Sequence, residues 1–208
     1  MKIAKTQTTE FNDANCQAKT GKTLQQWHVE LDKLGGLDAG RRELVSHVYE
    51  TAGKDAWWST SIVVEYERAK GQKEKDGRPT GYAICSTKTI TATLDVVFAA
   101  FADAQQLDRW LGAKTKLDFV DGGTFSNADG DKGSFKKIRA NKDIKFSWER
   151  ADLAPGTAVE VLFADKGKGK SGITLNHSRI QSRAEADRLR EGWSAALEAL
   201  KTLLEKGA

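Results

Sequence analysis

His177 is the residue most able to take part in chemistry on the strand face that the sequence predicts to be buried. It stands in KSGITLNHSRI, where apolar and polar residues alternate, and it shares a side with Ile173 and Leu175. An imidazole there can bind a polar group or move a proton near neutral pH. The alternative, which the sequence favours, is a structural histidine that bonds to backbone atoms near the following helix. No acidic residue stands at a spacing typical of a catalytic pair, so His177 is the single catalytic candidate, and the sequence favours a binding protein over an enzyme.

Arginine 109, which Trp110 follows directly, is a second group that could bind a ligand. Its guanidinium could hold a carboxylate, or it could be a surface side chain stacked on the neighbouring indole. Cys16 and Cys85 are far apart and lack a CxxC spacing, which is typical of free thiols in a reducing compartment. Because the sequence has no cluster of Cys, His and Asp, we predict no metal site and no cofactor.

The segment ADKGKGKSG contains Gly169-Lys170-Ser171, which matches the end of a phosphate-binding loop. The full pattern also needs a glycine five residues before Gly169, where Ala164 stands. It further needs a helix after the loop, because the helix N-terminus holds the phosphate. The residues ITLN follow instead, and they are typical of a strand. We interpret the segment as a flexible hairpin loop.

Composition and charge exclude several classes of protein. The chain has 208 residues, of which 39% are hydrophobic and 30% charged, which is enough for a core and a well-solvated surface. Residues 1–80 hold 13 basic and 12 acidic side chains and the remainder holds 20 and 17, so the dense positive stripe of a nucleic-acid binder is missing. No apolar run approaches the roughly 20 residues of a membrane span, and MKIAKTQTTEFNDANCQAKT lacks the continuous apolar stretch expected of a secretory signal. We expect a cytoplasmic protein without a membrane span.

Residues 20–71 show the periodicity of three short amphipathic helices. TGKTLQQWHVELDKLGG opens with a capping box at Thr23, RRELVSHVYETAG follows, and DAWWSTSIVVEYERAKG begins at a cap on Asp55. Helices this short must bury their apolar faces against one another, which predicts a small helical domain. Residues 1–19 are predicted to be a loosely ordered tail with room for one short helix. Residues 72–81, QKEKDGRPTG, are predicted to be a linker.

After residue 81 the apolar period changes to two. One strand is followed by TLDVVFAAFADAQQLDRWLG, which predicts two short helices separated near Asp103. Short strands with glycine-bearing turns then continue as an antiparallel meander, which begins with TKLDFV at residues 115–120. Ile144, Phe146 and Trp148 fall on one side of their strand, as a sheet with one buried face requires.

The chain closes with a long amphipathic helix that runs to about Glu205. Its apolar stripe passes through Leu189, Trp193 and Leu197, and its natural place is across the concave face of the sheet. Gly192 stands in the middle of this helix, although glycine costs about 1 kcal/mol there relative to alanine. It could let the helix bend or approach a strand closely, or it could simply relieve crowding around Trp193.

Four segments together resemble the SRPBCC superfamily, the START-like and birch-pollen-allergen-like fold. They are KTITATLDVVFAAFADAQQLDRWLG, DIKFSWER, ITLNHSRI and REGWSAALEALKTLL. The branch most similar is the one named after the activator of the heat-shock protein 90 ATPase, to which Arg109-Trp110, His177-Ser178 and Gly192-Trp193 correspond. The resemblance covers residues 82–208. Residues 20–71, through TGKTLQQW and WWSTSIVVEYERAKG, separately resemble a small helical domain of unknown function.

The resemblance implies an α+β helix-grip fold with six or seven antiparallel strands, two short helices and a long C-terminal helix. It also implies an apolar cavity between the sheet and that helix, although tryptophans could fill this space completely. The residues we expect in its wall are Trp110, Phe125, Phe135, Phe146, Trp148, Val161, Phe163, Leu175, His177 and Trp193.

Three kinds of function stay open at this point. The cavity implies a carrier or sensor of a small hydrophobic or amphipathic ligand. The name of the branch implies a chaperone-associated regulator, and related folds host cyclases and hydrolases, which here would use His177 or Arg109. A protein partner could bind through the N-terminal helices, whereas a nucleic acid is not expected.

Overall fold

A computed structural model describes Met1, residues 11–75 and residues 77–206 of the chain. These residues divide into two compact units. The helical unit comprises residues 11–82 (without residue 76) and 181–184, and the helix-grip unit comprises residues 83–180 and 185–206 together with Met1.

The helical unit contains four α-helices, one more than the periodicity predicts. They are α1 (Asp13–Thr20), α2 (Leu24–Lys33), α3 (Arg41–Thr51) and α4 (Ala56–Ala69), with a 3-10 turn at Gly36–Ala39. Helix α1 lies in the predicted tail, where Asn12 caps it and Cys16 is buried in the core of the unit. The other predicted tail residues, from 2 to 10, lie outside the described residues.

Local capping positions the helices of this unit. The capping box at Thr23 is confirmed, since its hydroxyl accepts from the Gln26 backbone N–H and the Gln26 side chain accepts from the Thr23 N–H. Asp55 caps α4 by accepting from two backbone N–H groups. The core is built from Trp27 and Leu31 of α2, with further buried residues from every helix of the unit. The Trp27 indole donates to Thr20 Oγ1 at 2.8 Å, so its buried N–H is satisfied.

The helix-grip unit is a seven-stranded antiparallel sheet with three helices. Its elements in chain order are β1 (Tyr82–Ile90), α5 (Leu94–Ala102), α6 (Ala104–Trp110), β2 (Lys116–Leu117), β3 (Thr124–Ser126), β4 (Lys132–Arg139), β5 (Asp143–Trp148), β6 (Thr157–Gly167), β7 (Lys170–Ile180) and α7 (Arg183–Lys206). The strand order is β1-β7-β6-β5-β4-β3-β2, so β2 to β7 form a meander and β1 pairs with its last strand. This confirms the predicted helix-grip fold.

The register of the sheet collects aromatic and branched residues on one face. Ile144 of β5 pairs with Val161 of β6, which pairs with Leu175 of β7, and all three are buried. One alternate position along, Val159 of β6 lies between Phe146 of β5 and His177 of β7. Because side chains alternate across a strand, these residues share the buried face. The α7 stripe covers this face, as predicted, since Trp193 contacts Trp148 with ring centroids 4.8 Å apart.

One predicted strand is shorter than expected, and one predicted hairpin is confirmed. The strand predicted over 115–120 is only two residues long, because the chain turns tightly after it: Val120 N–H donates to the Asp118 carbonyl and Gly123 N–H donates to the Val120 carbonyl. The segment that resembled a phosphate-binding loop is a hairpin, as predicted. Lys168 and Gly169, with φ of 53° and 68°, form its left-handed turn, and Lys170 already begins β7.

Candidate functional site

The candidate site is the apolar space between the sheet and helices α6 and α7. Its volume is about 30 Å³, which is room for a body of about the size of water. Six of the predicted wall residues line it, namely Trp110, Phe125, Phe135, Phe146, Trp148 and Trp193. Six further residues complete the lining, namely Phe101, Leu107, Leu111, Leu117, Phe119 and Ile144. None of these twelve described side chains carries a charge.

Contacts between aromatic rings account for the small volume. Phe125 packs edge-on to Phe146 with centroids 5.5 Å apart, and Phe101 packs in the same way on Phe163 at 5.2 Å. Phe119 reaches back to Phe135 at 5.1 Å and so covers one side of the space. Edge-to-face contacts of this kind fill volume efficiently and add stability beyond the area they bury.

One side of the space reaches the protein surface. Leu111, Leu117 and Phe119 line it and are only half-buried, whereas Trp148 and Trp193 are fully buried. These three residues follow α6 or lie in and just after the two-residue strand β2. We call them the mouth of the cavity. The sequence prediction did not name them, although Leu117 and Phe119 fall on one side of TKLDFV at residues 115–120, which is the signal that could have found them.

Four predicted wall residues are buried on the same face of the sheet but do not line the cavity. They are Val161, Phe163, Leu175 and His177. Phe163 contacts Phe101 and Phe98, so it packs beneath helix α5. Val161 and Leu175 pair across β6 and β7 and are completely buried. The role of the whole set in binding stays a prediction.

His177 is completely buried and forms one hydrogen bond that fixes its chemistry. The Trp193 Nε1–H donates to His177 Nδ1 over 3.0 Å. Since Nδ1 accepts, the proton of the neutral ring must be on Nε2. Burial lowers the pKa of His177 to about 3, so the ring is neutral at physiological pH. Moving a proton near pH 7, which the sequence left open, would require a pKa much closer to 7.

Two buried donors in this region have no hydrogen-bond acceptor among the described residues. They are the Nε2–H of His177 and the Nε1–H of Trp148. The two rings are neighbours with centroids 6.4 Å apart, and Trp193 contacts both. Most buried donors in proteins are paired, so two that are not, side by side, mark this cluster as unusual.

Arg109 and Gly192 lie away from the cavity. Both line a separate surface groove of about 350 Å³ between the end of α6 and α7, and Arg109 is exposed. Gly192 is buried within the continuous helix α7. Trp110, the last residue of α6, and Leu111, which follows it, line the same groove. Helix α7 continues through Gly192, and the role of this glycine stays a prediction.

Other kinds of site find no support in the described part of the chain. No three His, Cys, Asp or Glu side chains among these residues lie close enough together to hold a metal ion. No described helix has the length and apolar character needed to cross a membrane. Cys16 is buried, which raises the pKa of its thiol, and Cys85 is exposed.

A long helix that covers one face of an antiparallel sheet, with an apolar interior between them, defines a protein of the START-like, helix-grip class. Within this class the chain belongs to the family described as activator of Hsp90 ATPase homolog 1-like proteins, whose model matches residues 91–205. The resemblance that the sequence motifs carry is therefore confirmed.

Solved structures of similar fold come from several organisms. CalU16 from Micromonospora echinospora is 22% identical over 60% of this chain and 76% of its own, with a TM-score of 0.55. PFC0360w, an HSP90 activator from Plasmodium falciparum, is 24% identical over 61% of this chain and 96% of its own, with a TM-score of 0.54. Aha1 from Colwellia psychrerythraea, solved as a dimer, is 18% identical over 60% and 96%, with a TM-score of 0.53. At these identities the likeness is one of fold. Comparison with curated proteins gave no match.

Proposed function

We propose that the helix-grip unit binds a small hydrophobic or amphipathic ligand between its sheet and helix α7, as a carrier or sensor. The observation that supports this most directly is the cavity itself, which is lined by uncharged side chains and reaches the surface at Leu111, Leu117 and Phe119. Ligand pockets in proteins are lined predominantly by hydrophobic and aromatic side chains, and this lining has that character.

The cavity must enlarge before such a ligand can enter. Pockets for small molecules measure roughly 300–1,000 Å³, which is about ten to thirty times the 30 Å³ found here. The mouth is the part of the wall most able to move, because its three residues are half-buried and β2 has only two residues in the sheet. We therefore propose that Phe119, whose ring lies on Phe135, swings outward as the ligand enters.

The first experiment is native mass spectrometry of the freshly purified protein, followed by extraction under denaturing conditions. A bound small molecule identifies the ligand class directly. The purified protein is then titrated with fatty acids, sterols and flavonoids. A clean mass together with no binding of any of these compounds would contradict the proposal and indicate a filled core.

A matched pair of variants tests the mouth. Phe119→Ala removes the ring that covers the cavity, so association with an apolar fluorescent probe should become faster. Val120→Ala changes the adjacent side chain, which is 54% exposed and is not part of the lining, so it should leave the association rate unchanged. Equal rates in both variants would show that the probe does not enter through this mouth.

Membership of the family supports a second candidate function, in which the chain regulates a chaperone ATPase by binding it. The family takes its description from an activator of the Hsp90 ATPase, and PFC0360w of similar fold is described as an HSP90 activator. Titration of the full chain into purified Hsp90, with ATP hydrolysis as the readout, tests this. Heat released or absorbed on binding, together with faster ATP hydrolysis, would support this second function. The absence of both effects would exclude it.

A further inference from the structure

We propose that the ligand of this cavity carries an uncharged hydrogen-bond acceptor, a carbonyl oxygen of a small aromatic or apolar ketone, ester or lactone, which binds the N–H groups of Trp148 and His177. This inference rests on the proposed function, since it names the chemical class of ligand for the same cavity. The first observation behind it is that both N–H groups are buried and lack an acceptor among the described residues.

The bond from Trp193 determines that His177 offers a donor. His177 Nδ1 accepts from Trp193 Nε1 at 3.0 Å, so the neutral ring carries its proton on Nε2. The neutral form persists at physiological pH, because burial strongly disfavours the charged ring. Trp148 Nε1 can only donate. The cluster therefore presents two donors, and the group that complements it is an acceptor.

The position of the cluster connects it with the cavity. Trp148 and Trp193 both line the cavity, and their rings contact each other at 4.8 Å. The His177 ring lies against both, with centroids 6.4 Å from Trp148 and 6.2 Å from Trp193. His177 itself does not line the cavity, so the enlargement that admits the ligand must also bring its carbonyl oxygen to the two N–H groups, while its body contacts rings such as Phe125 and Phe146.

The lining also selects against a charged ligand group. None of the described lining residues is a Lys, Arg, Asp or Glu, and His177 is neutral. A carboxylate buried here would lose its hydration without gaining a cation, which costs much more than burying a neutral carbonyl that receives hydrogen bonds. An uncharged oxygen acceptor satisfies both donors without this cost.

A pair of small probes of nearly equal shape tests the inference. Acetophenone and α-methylstyrene differ only in that a carbonyl oxygen replaces a methylene group. Their dissociation constants are measured by NMR titration of the full chain, and the ratio of the two constants is compared among variants. His177→Leu and Trp148→Phe each remove one donor, so each should reduce the preference for the ketone about fivefold.

A conservative variant separates donation from structure. In His177→Gln the amide can still donate and can still accept from Trp193, so the preference for the ketone should be retained. In the unmodified protein, acetophenone should also move the Trp148 indole N–H proton resonance downfield, whereas α-methylstyrene should not. This second readout needs no variant and does not depend on whether the variants fold.

The outcomes separate the inference from the function on which it rests. If both probes bind and the ratio of their constants is the same in all variants, the inference is wrong and the apolar cavity stands. If neither probe binds the full chain, the inference is wrong, and native mass spectrometry with the fatty-acid, sterol and flavonoid titrations decides separately whether the cavity binds a ligand. A ketone preference that His177→Leu abolishes and His177→Gln retains supports the inference.

Discussion

The Nε1–H of Trp193, in the middle of helix α7, donates to Nδ1 of His177, on the last strand of the sheet, over 3.0 Å. This bond joins the helix to the face that it covers, and both side chains are almost completely buried. A bond of this kind specifies the position of the helix along the sheet, because sliding the helix would leave a buried indole donor without a partner. It also holds the imidazole in a single tautomer.

Replacement of Trp193 by alanine should destabilise the helix-grip unit by about 3–5 kcal/mol, because it removes a buried ring and leaves a cavity. The enlarged space, now continuous with the existing one, should bind apolar probes more tightly. Trp193→Phe is the control, since it keeps most of the volume and loses the hydrogen bond. Urea unfolding measures the stability, and a variant that loses stability yet binds probes like the parent would support a filled core.

The buried His177 makes stability depend on pH in a defined window. The pKa of this ring is about 3 in the folded protein and near 6.5 in the unfolded chain. Between these values the unfolded state binds a proton that the folded state does not, so the free energy of unfolding falls as the pH drops from 6.5 towards 3. One such group contributes a slope of at most about 1.4 kcal/mol per pH unit.

The comparison with His177→Gln isolates this contribution. Carboxylates whose pKa values are lowered by ion pairs, such as Asp152 beside Arg150, also favour unfolding in acid, but they are present in both proteins. Urea unfolding at pH 7, 6 and 5 should therefore show that the parent loses more stability than the variant at each step down. Equal losses of stability in the two proteins would mean that His177 binds a proton as readily in the folded protein as in the unfolded chain.

The elements of both units could be predicted because their signals are local. The capping box at Thr23 lies within one helical turn. The separation of α5 from α6 at Asp103 arises in the same way, since its carboxylate caps α6 by accepting from the Gln106 N–H at 2.8 Å. Alternation along β5 to β7 indicated which side chains face inward, and the pairing of Phe146, Val159 and His177 agrees with it.

The volume of the cavity could not be predicted from the same signals. A stripe of aromatic residues indicates a buried face, but whether a space stays open depends on how rings from distant segments interlock. The ring of Phe119, just after β2, contacts Phe98 of α5 on one side and Phe135 of β4 on the other. These three rings come from separate parts of the chain. The tautomer of His177 likewise depends on a partner that is 16 residues away on another element.

Substitution of Gly133 by alanine should displace Phe125, which lines the cavity. A Cβ atom at this position in β4 would collide with the Ser147 carbonyl oxygen and would lie 2.6 Å from the Phe125 ring. Backbone in the neighbouring strand cannot yield easily, so we expect a loss of about 3 kcal/mol and a displaced Phe125. Lys136→Ala, at an exposed position of the same strand, should change stability by less than about 0.5 kcal/mol. Equal urea midpoints for the two variants would contradict the prediction.

In the helical unit, Arg41 and Glu67 form an ion pair whose carboxylate is buried. The Arg41 Nε–H lies 3.0 Å from each carboxylate oxygen, and Glu67 is only 4% exposed. Arg41→Ala leaves that carboxylate without its main partner, so it should destabilise this unit by about 2 kcal/mol. The neighbouring exposed Arg42 provides the matched control, and Arg42→Ala should cost less than about 0.5 kcal/mol. Native-state hydrogen exchange of the α4 amides measures both variants within the full chain, and equal protection factors would show that solvent replaces the lost guanidinium.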